Sequence, residues 1–149
     1  MGFMNTEARF KHEFVETYQD GDAIFEEGDI GKDLYIVQKG KVRITKKIGN
    51  SKIEIAEFEK GDFFGDMSLL QSIPRYASAH ANGPTKVLIL QPAGFLLKIR
   101  RDPTFAFEML QQMSLRIKVS NDRLVELVKQ NEISIDQVQG IINAFGGKI

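Results

Sequence analysis

Phe63-Phe64-Gly65-Asp66-Met67-Ser68-Leu69-Leu70, followed after Gln71-Ser72-Ile73-Pro74 by Arg75-Tyr76-Ala77-Ser78, is the segment on which the fold turns. A glycine opens a short helix, a loop follows, and a single arginine stands before small residues. The first N–H groups of a helix have no partner within it and carry the positive end of its dipole. An anion fits there, and Gly65 lets it approach the backbone closely. Arg75 adds a charge-assisted contact that can be bidentate. Such a cradle needs neither metal nor lysine, so the expected anion is a singly charged phosphodiester rather than a triphosphate.

Upstream, from residue 13 to about 91, the chain reads as short strands punctuated by turns. Asp20-Gly21-Asp22, Glu27-Gly28-Asp29, Lys39-Gly40-Lys41, Gly49-Asn50 and Lys60-Gly61-Asp62 are the turn signals. Between them lie Ala23-Ile24-Phe25, Leu34-Tyr35-Ile36-Val37, Val42-Arg43-Ile44-Thr45 and Ile53-Glu54-Ile55-Ala56. The last two alternate apolar and polar residues, the mark of strands with one buried face. Tyr76 to Ala81 and Thr85 to Gln91 read as two more, divided by Asn82-Gly83-Pro84. Many short strands at regular spacing predict a small sandwich or barrel.

The period changes after Pro92. Ala93 to Arg100 reads as a short helix, and Asp102-Pro103 supplies an N-cap and a first-turn proline for a longer one reaching about residue 131. Leu110, Met113, Ile117, Ser120, Leu124 and Leu127 recur at spacings of three and four. That stripe suits either packing on the barrel or a two-helix dimer seam over residues 110–127. Ser134-Ile135-Asp136-Gln137 has capping-box form, and Ile135, Val138, Ile141, Ile142 and Phe145 make one apolar face behind it, closed by Gly146-Gly147. The predicted organisation is a β domain over about 13–91, a hinge and long helix to 131, and a short amphipathic helix over 132–149.

Twenty basic and twenty acidic residues cancel in the 149-residue chain, so no global field draws it to nucleic acid or anionic membranes. Cysteine is absent, which excludes disulfides, thiol catalysis and cysteine-ligated metal. No apolar run approaches the roughly 20 residues that cross a bilayer. The polar start, mixed in charge, lacks signal-peptide features, so a cytoplasmic location is expected. His12 and His80 stand far apart on different predicted elements, and no nucleophile–base set is evident, so neither a metal site nor catalysis is expected.

The residues together resemble the cyclic-nucleotide-binding domain family, which includes catabolite activators, regulatory subunits of cAMP-dependent kinases and nucleotide-gated channels. The resemblance runs from about residue 14 to 130. It rests on Glu27-Gly28-Asp29, on Asp33 to Val37 with Gly40-Lys41-Val42, on Gly61-Asp62-Phe63-Phe64-Gly65, and above all on the cassette from Phe64 to Ser78. It implies an eight-stranded jelly-roll barrel, mainly β with flanking helices, binding cAMP or cGMP. By that resemblance Gly65 and Asp66 hold the ribose 2′-hydroxyl and Arg75 pairs with the cyclic phosphate. Backbone N–H groups of Met67, Ser68 and Tyr76 add hydrogen bonds to the phosphate, Ala77 is a further ligand-binding residue, and Ser120 and Asn121 meet the base.

Two positions depart from the family pattern. Asp66 stands where the family has glutamate and is one methylene shorter. Losing a hydrogen bond to a charged group costs about 1.5–3 kcal/mol, on the order of ten- to a hundredfold in affinity. Alternatively, Asp66 serves as the cap of the short helix. Tyr76 replaces the usual Ala, Ser or Thr; a hydroxyl there goes with guanine preference, and a rigid phenol places its oxygen differently, which favours cAMP over cGMP. The competing expectations are a degenerate fold kept for dimerisation or docking, and a fragment of a catabolite-activator-type regulator. The stretch after Asn131 has room for one helix, too little for a helix-turn-helix module, so no DNA binding is expected of this chain alone.

Overall fold

Six strands form one antiparallel sheet: β1 (Glu13–Tyr18), β2 (Ala23–Phe25), β3 (Leu34–Ile48), β4 (Ser51–Glu59), β5 (Phe63–Phe64) and β6 (Ser78–Leu90). They belong to a computed structural model that describes residues 12–144 and 146. Four helices follow or interrupt the strands: α1 (Asp66–Gln71), α2 (Pro92–Arg101), α3 (Pro103–Lys129) and α4 (Ile135–Ala144). The chain forms two compact units, one ending at Pro103 and the other beginning at Thr104.

In the first unit the strand order is β1-β6-β3-β4, with β2 paired to β6 and β5 paired to β3. The expected eight-stranded closed barrel is therefore met, among the described residues, by six strands on an open path. The difference lies in two long, bent strands. Leu34–Val37 and Val42–Thr45 both belong to β3, and β6 continues through Asn82-Gly83-Pro84. The turn residues bend these strands without ending their pairing. Register shifts fall between Val37 and Lys39 and between Lys39 and Lys41.

Those shifts have a packing reason. Tyr35 and Val37 face the core on odd positions, while Val42 and Ile44 face it on even ones. Side chains alternate along a strand, so only an irregularity between the two pairs keeps both inside. Gly40 sits at the bend with φ +84°, and a Cβ there would come within 2.3 Å of the Pro84 carbonyl oxygen. The two bent strands touch where only glycine fits.

The core gathers Tyr35, Val37, Val42, Ile44, Phe64, Ala77, Ala79, Val87 and Ile89, flanked by Phe25 and Phe58. Tyr35 and Phe64 stack at 5.1 Å, Phe58 lies 6.0 Å from Phe64, and Phe25 tilts against both Tyr35 and Phe64 at 5.5 and 5.9 Å. This aromatic floor lies next to the segment that opens at Gly65.

In the second unit, α3 runs 27 residues. Leu110 and Ile117 on its expected seam are 62% and 59% exposed. Asn131, at φ +57°, takes the left-handed conformation just past α3, where helices commonly end. The capping box ahead of α4 is formed on both sides: Gln137 N–H donates to Ser134 Oγ at 3.1 Å, and Ser134 N–H donates to Gln137 Oε1 at 2.7 Å. Phe145 and Gly147, assigned to this helix and its close, lie outside the described residues.

Candidate functional site

Pairing positions the glycine. Phe64 of β5 lies opposite Tyr35 of β3, which brings Gly65 beside Asp33. Gly65 has φ +84° and forms the N-cap of α1. A Cβ on it would lie 2.8 Å from the Asp33 carbonyl oxygen, 3.0 Å from Arg75 Nη1 and 3.1 Å from a Tyr35 ring carbon. Glycine is thus required twice, for its dihedral and for its lack of a side chain. No side chain caps the helix. Asp66 stands in the first turn, where the dipole favours a carboxylate, but it is not the N-cap, and the expectation that it serves as one is corrected. Ser68 is buried in that turn, and Met67 is exposed.

Arg75 is only 4% exposed. Its Nη1 donates to the Gly65 carbonyl at 3.1 Å and its Nη2 to the Asp33 carbonyl at 3.0 Å. The guanidinium carbon lies 4.5 Å from the Phe25 ring centroid and 5.5 Å from that of Tyr35. Among the described residues, no carboxylate forms an ion pair with it. The ordinary alternative for a loop arginine, a surface ion pair, is therefore not what the fold builds. Burial pulls the guanidinium pKa below its usual value, and the nearby Tyr35 and Asp33 act in the opposite direction. Burial likewise raises the Asp33 carboxyl, against the pull of Arg75. A buried cation held by neutral carbonyls and ring faces is incompletely compensated, and it has more N–H donors than two carbonyls take up.

The strand leaving Arg75 is fastened from the turn after β2. Arg75 N–H donates to the Asp29 carbonyl and Gly28 N–H to the Arg75 carbonyl, both at 2.8 Å. Ser78, fully buried, accepts from Glu27 N–H at 2.9 Å and donates to Glu26 Oε2 at 3.0 Å. Ala77 is buried, whereas Tyr76 is half exposed beneath the Lys46 ammonium. The first unit therefore brings Gly65, Asp66, Met67, Ser68, Arg75, Tyr76 and Ala77 into one neighbourhood. Ser120 and Asn121 lie on α3 in the second unit, the former exposed and the latter partly so. The histidines are engaged separately: His12 Nδ1 lies 3.3 Å from Gln91 Oε1, and His80 Nε2 lies 3.1 Å from Glu26 Oε1.

Residues 15–102 match the profile of the cyclic nucleotide-binding domain. The chain belongs to that family. This cyclic nucleotide-binding domain is 37% identical over 102 residues to a cyclic AMP receptor protein of Thermus thermophilus, an alignment covering 68% of this chain and 47% of that protein. The chain thus spans about half of that relative. The crystal structure of the Thermus thermophilus catabolite activator protein superposes with a TM-score of 0.70 at 32% identity, covering 85% of this chain and 61% of that one. The regulatory domain of a Toxoplasma gondii protein kinase, solved with cAMP, superposes with a TM-score of 0.57 at 28% identity, covering 76% and 44%.

Proposed function

We propose that this cyclic nucleotide-binding domain is a cAMP-responsive regulatory module and carries no catalytic centre of its own. The observation that carries the reading is Arg75, a buried guanidinium with neutral partners, set beside a glycine-opened helix start. A cyclic phosphate supplies the missing negative charge. Arg75 pairs with it, backbone N–H groups of Met67, Ser68 and Tyr76 complete the cradle, and Ala77 is a further ligand-binding residue. Gly65 and Asp66 take the ribose, while Ser120 and Asn121 are assigned to the base. The relatives support cAMP: one is named a cyclic AMP receptor protein, and a kinase regulatory domain was solved with cAMP. In this reading the bent β3 and β6 count as two legs each toward the eight-stranded roll that the family resemblance implies.

The exposed seam on α3 supports a homodimer through residues 110–127. Ligand binding shifts the equilibrium between two conformations only by its differential affinity for them. In this reading the helix from about Pro103 to Gln130 is the element whose position the ligand biases.

Calorimetric titration with cAMP and cGMP tests the assignment. Arg75→Ala is expected to weaken both at least about tenfold, because a bound phosphate then loses its charged partner. Unchanged affinity in that variant overturns the phosphate assignment.

A further inference from the structure

Lys46 stands on β3 one residue past Thr45, which pairs with Ser78, and its ammonium reaches back to the cassette directly. Nζ donates to the Tyr76 carbonyl at 2.6 Å and lies 4.0 Å above the centroid of the Tyr76 ring. The same ammonium is 3.4 Å from Glu27 Oε2. Glu27 is itself fixed, because its other carboxylate oxygen accepts Lys47 N–H at 3.0 Å and its own N–H donates to Ser78 Oγ. Lys46 and Glu27 side chains are each only about a quarter exposed, at 26% and 24%. Side-chain entropy is lost in holding a lysine so closely, and nothing in the strand ladder of β3 requires it.

The consequence lies in the peptide between Tyr76 and Ala77. No described peptide bond is cis, so the Tyr76–Ala77 peptide is one rigid plane, and holding its carbonyl restrains the main chain at Tyr76, directly after Arg75. We propose that Lys46 is a positioning residue for the ligand site: tethered by Glu27, it holds the Tyr76 main chain so that the N–H of Tyr76 stays in place for the cyclic phosphate beside Arg75. This rests on the phosphate reading of the cassette given above. It assigns to a residue on β3 a share of the affinity that is independent of the base.

The test uses the full chain and titrates cAMP and cGMP into four variants, with thermal unfolding recorded for each. Lys46→Met keeps the stem over the Tyr76 ring and removes the ammonium. It is expected to weaken both nucleotides equally, by about three- to tenfold, less than the loss of a direct charged contact, because Lys46 acts through the main chain and not on the phosphate itself. Lys46→Arg, which can still donate to the carbonyl and pair with Glu27, is expected to recover most of that loss. Glu27→Gln separates positioning from simple charge. If Lys46 acts only by its field on the phosphate, removing the nearby carboxylate strengthens binding; if it acts as a tethered positioner, Glu27→Gln weakens binding.

A gain of affinity in Glu27→Gln overturns the proposal, as does a Lys46→Met loss confined to one nucleotide, which would assign Lys46 to base selection through the Tyr76 ring. Full affinity in Lys46→Met, with Arg75→Ala impaired, overturns the proposal alone. Full affinity in Arg75→Ala overturns the phosphate reading beneath it. Should Lys46→Met fail to fold, the sign of the Glu27→Gln effect decides.

Discussion

Gly65→Ala should do more damage than a glycine's dihedral alone explains, and Gly21→Ala is the matched control. Both glycines sit in the left-handed region, at φ +84° and +82°. A side chain there costs about 1–2 kcal/mol. At Gly21 a Cβ meets nothing within 4 Å, so that strain is the whole effect. At Gly65 the Cβ lands 2.8 Å from the Asp33 carbonyl oxygen and 3.0 Å from Arg75 Nη1. Those are an acceptor and a donor of the Arg75 anchorage, so relief of the clash breaks at least one hydrogen bond of a buried cation. That adds about 1.5–3 kcal/mol. The expected totals are about 1–2 kcal/mol for Gly21→Ala and about 2.5–5 kcal/mol for Gly65→Ala. Denaturant unfolding reads the stabilities and calorimetry the affinities. cAMP binding should fall at least about tenfold in Gly65→Ala, through displacement of Arg75, and remain as in the parent in Gly21→Ala. Equal destabilisation of the two variants, with binding retained in both, refutes the claim that Gly65 is where backbone and guanidinium interlock.

Three further outcomes are expected. Asp66→Glu restores the longer carboxylate of the family pattern and should tighten cAMP binding in a direct titration; a flat response leaves Asp66 with only its favourable place in the first helical turn. Ile117→Asp places a charge on the exposed α3 seam and should convert a dimer to monomer by light scattering, and a parent that is monomeric at high concentration removes the seam hypothesis. Glu27 is held below the usual carboxylate pKa, chiefly by Lys47 N–H and further by Lys46, against an opposing effect of burial. A carboxylate whose native pKa is depressed stabilises the fold fully above its unfolded value and loses that contribution as pH falls through the native one. Unfolding midpoints of the parent and Glu27→Gln should therefore differ at neutral pH and converge at acid pH below the ordinary glutamate range; a constant gap across that window contradicts the assigned contacts.

What was legible in the sequence was whatever has a local signature. Gly65 opening a helix, Pro103 starting one, and the Ser134–Gln137 capping box each depend on neighbours within a few residues, and the structure places each as read. Strand count was misread for the same reason in reverse. Gly40 and Gly83 are turn signals by composition, but a strand bends through each without ending, because hydrogen bonding from a neighbouring strand carries the chain across. Local punctuation is identical in the two cases, and pairing between segments more than 40 positions apart decides which occurs.

The same distinction divides the candidate site. Arg75 stood out as a candidate anion ligand from its spacing to Gly65, but nothing within the cassette foretold that Asp33 and Gly65 would hold it by main-chain carbonyls rather than side chains. Carbonyl anchorage leaves the cation in place without neutralising it. A carboxylate in the same position would have given a tighter apo fold and a weaker anion site, since any incoming phosphate would first have to displace or tolerate it. Burial raises the pKa of the Asp33 carboxyl, which forms no ion pair with Arg75, while the Asp33 carbonyl does the holding. The contact of Lys46 with Glu27 and Tyr76 had no local signature, because a lysine near the end of a strand and a glutamate in a turn are ordinary solvated residues until the fold brings them together. Arg75's charge is thus kept available by backbone, and the backbone that follows it is held by charge, a division of labour that only the tertiary fold makes visible.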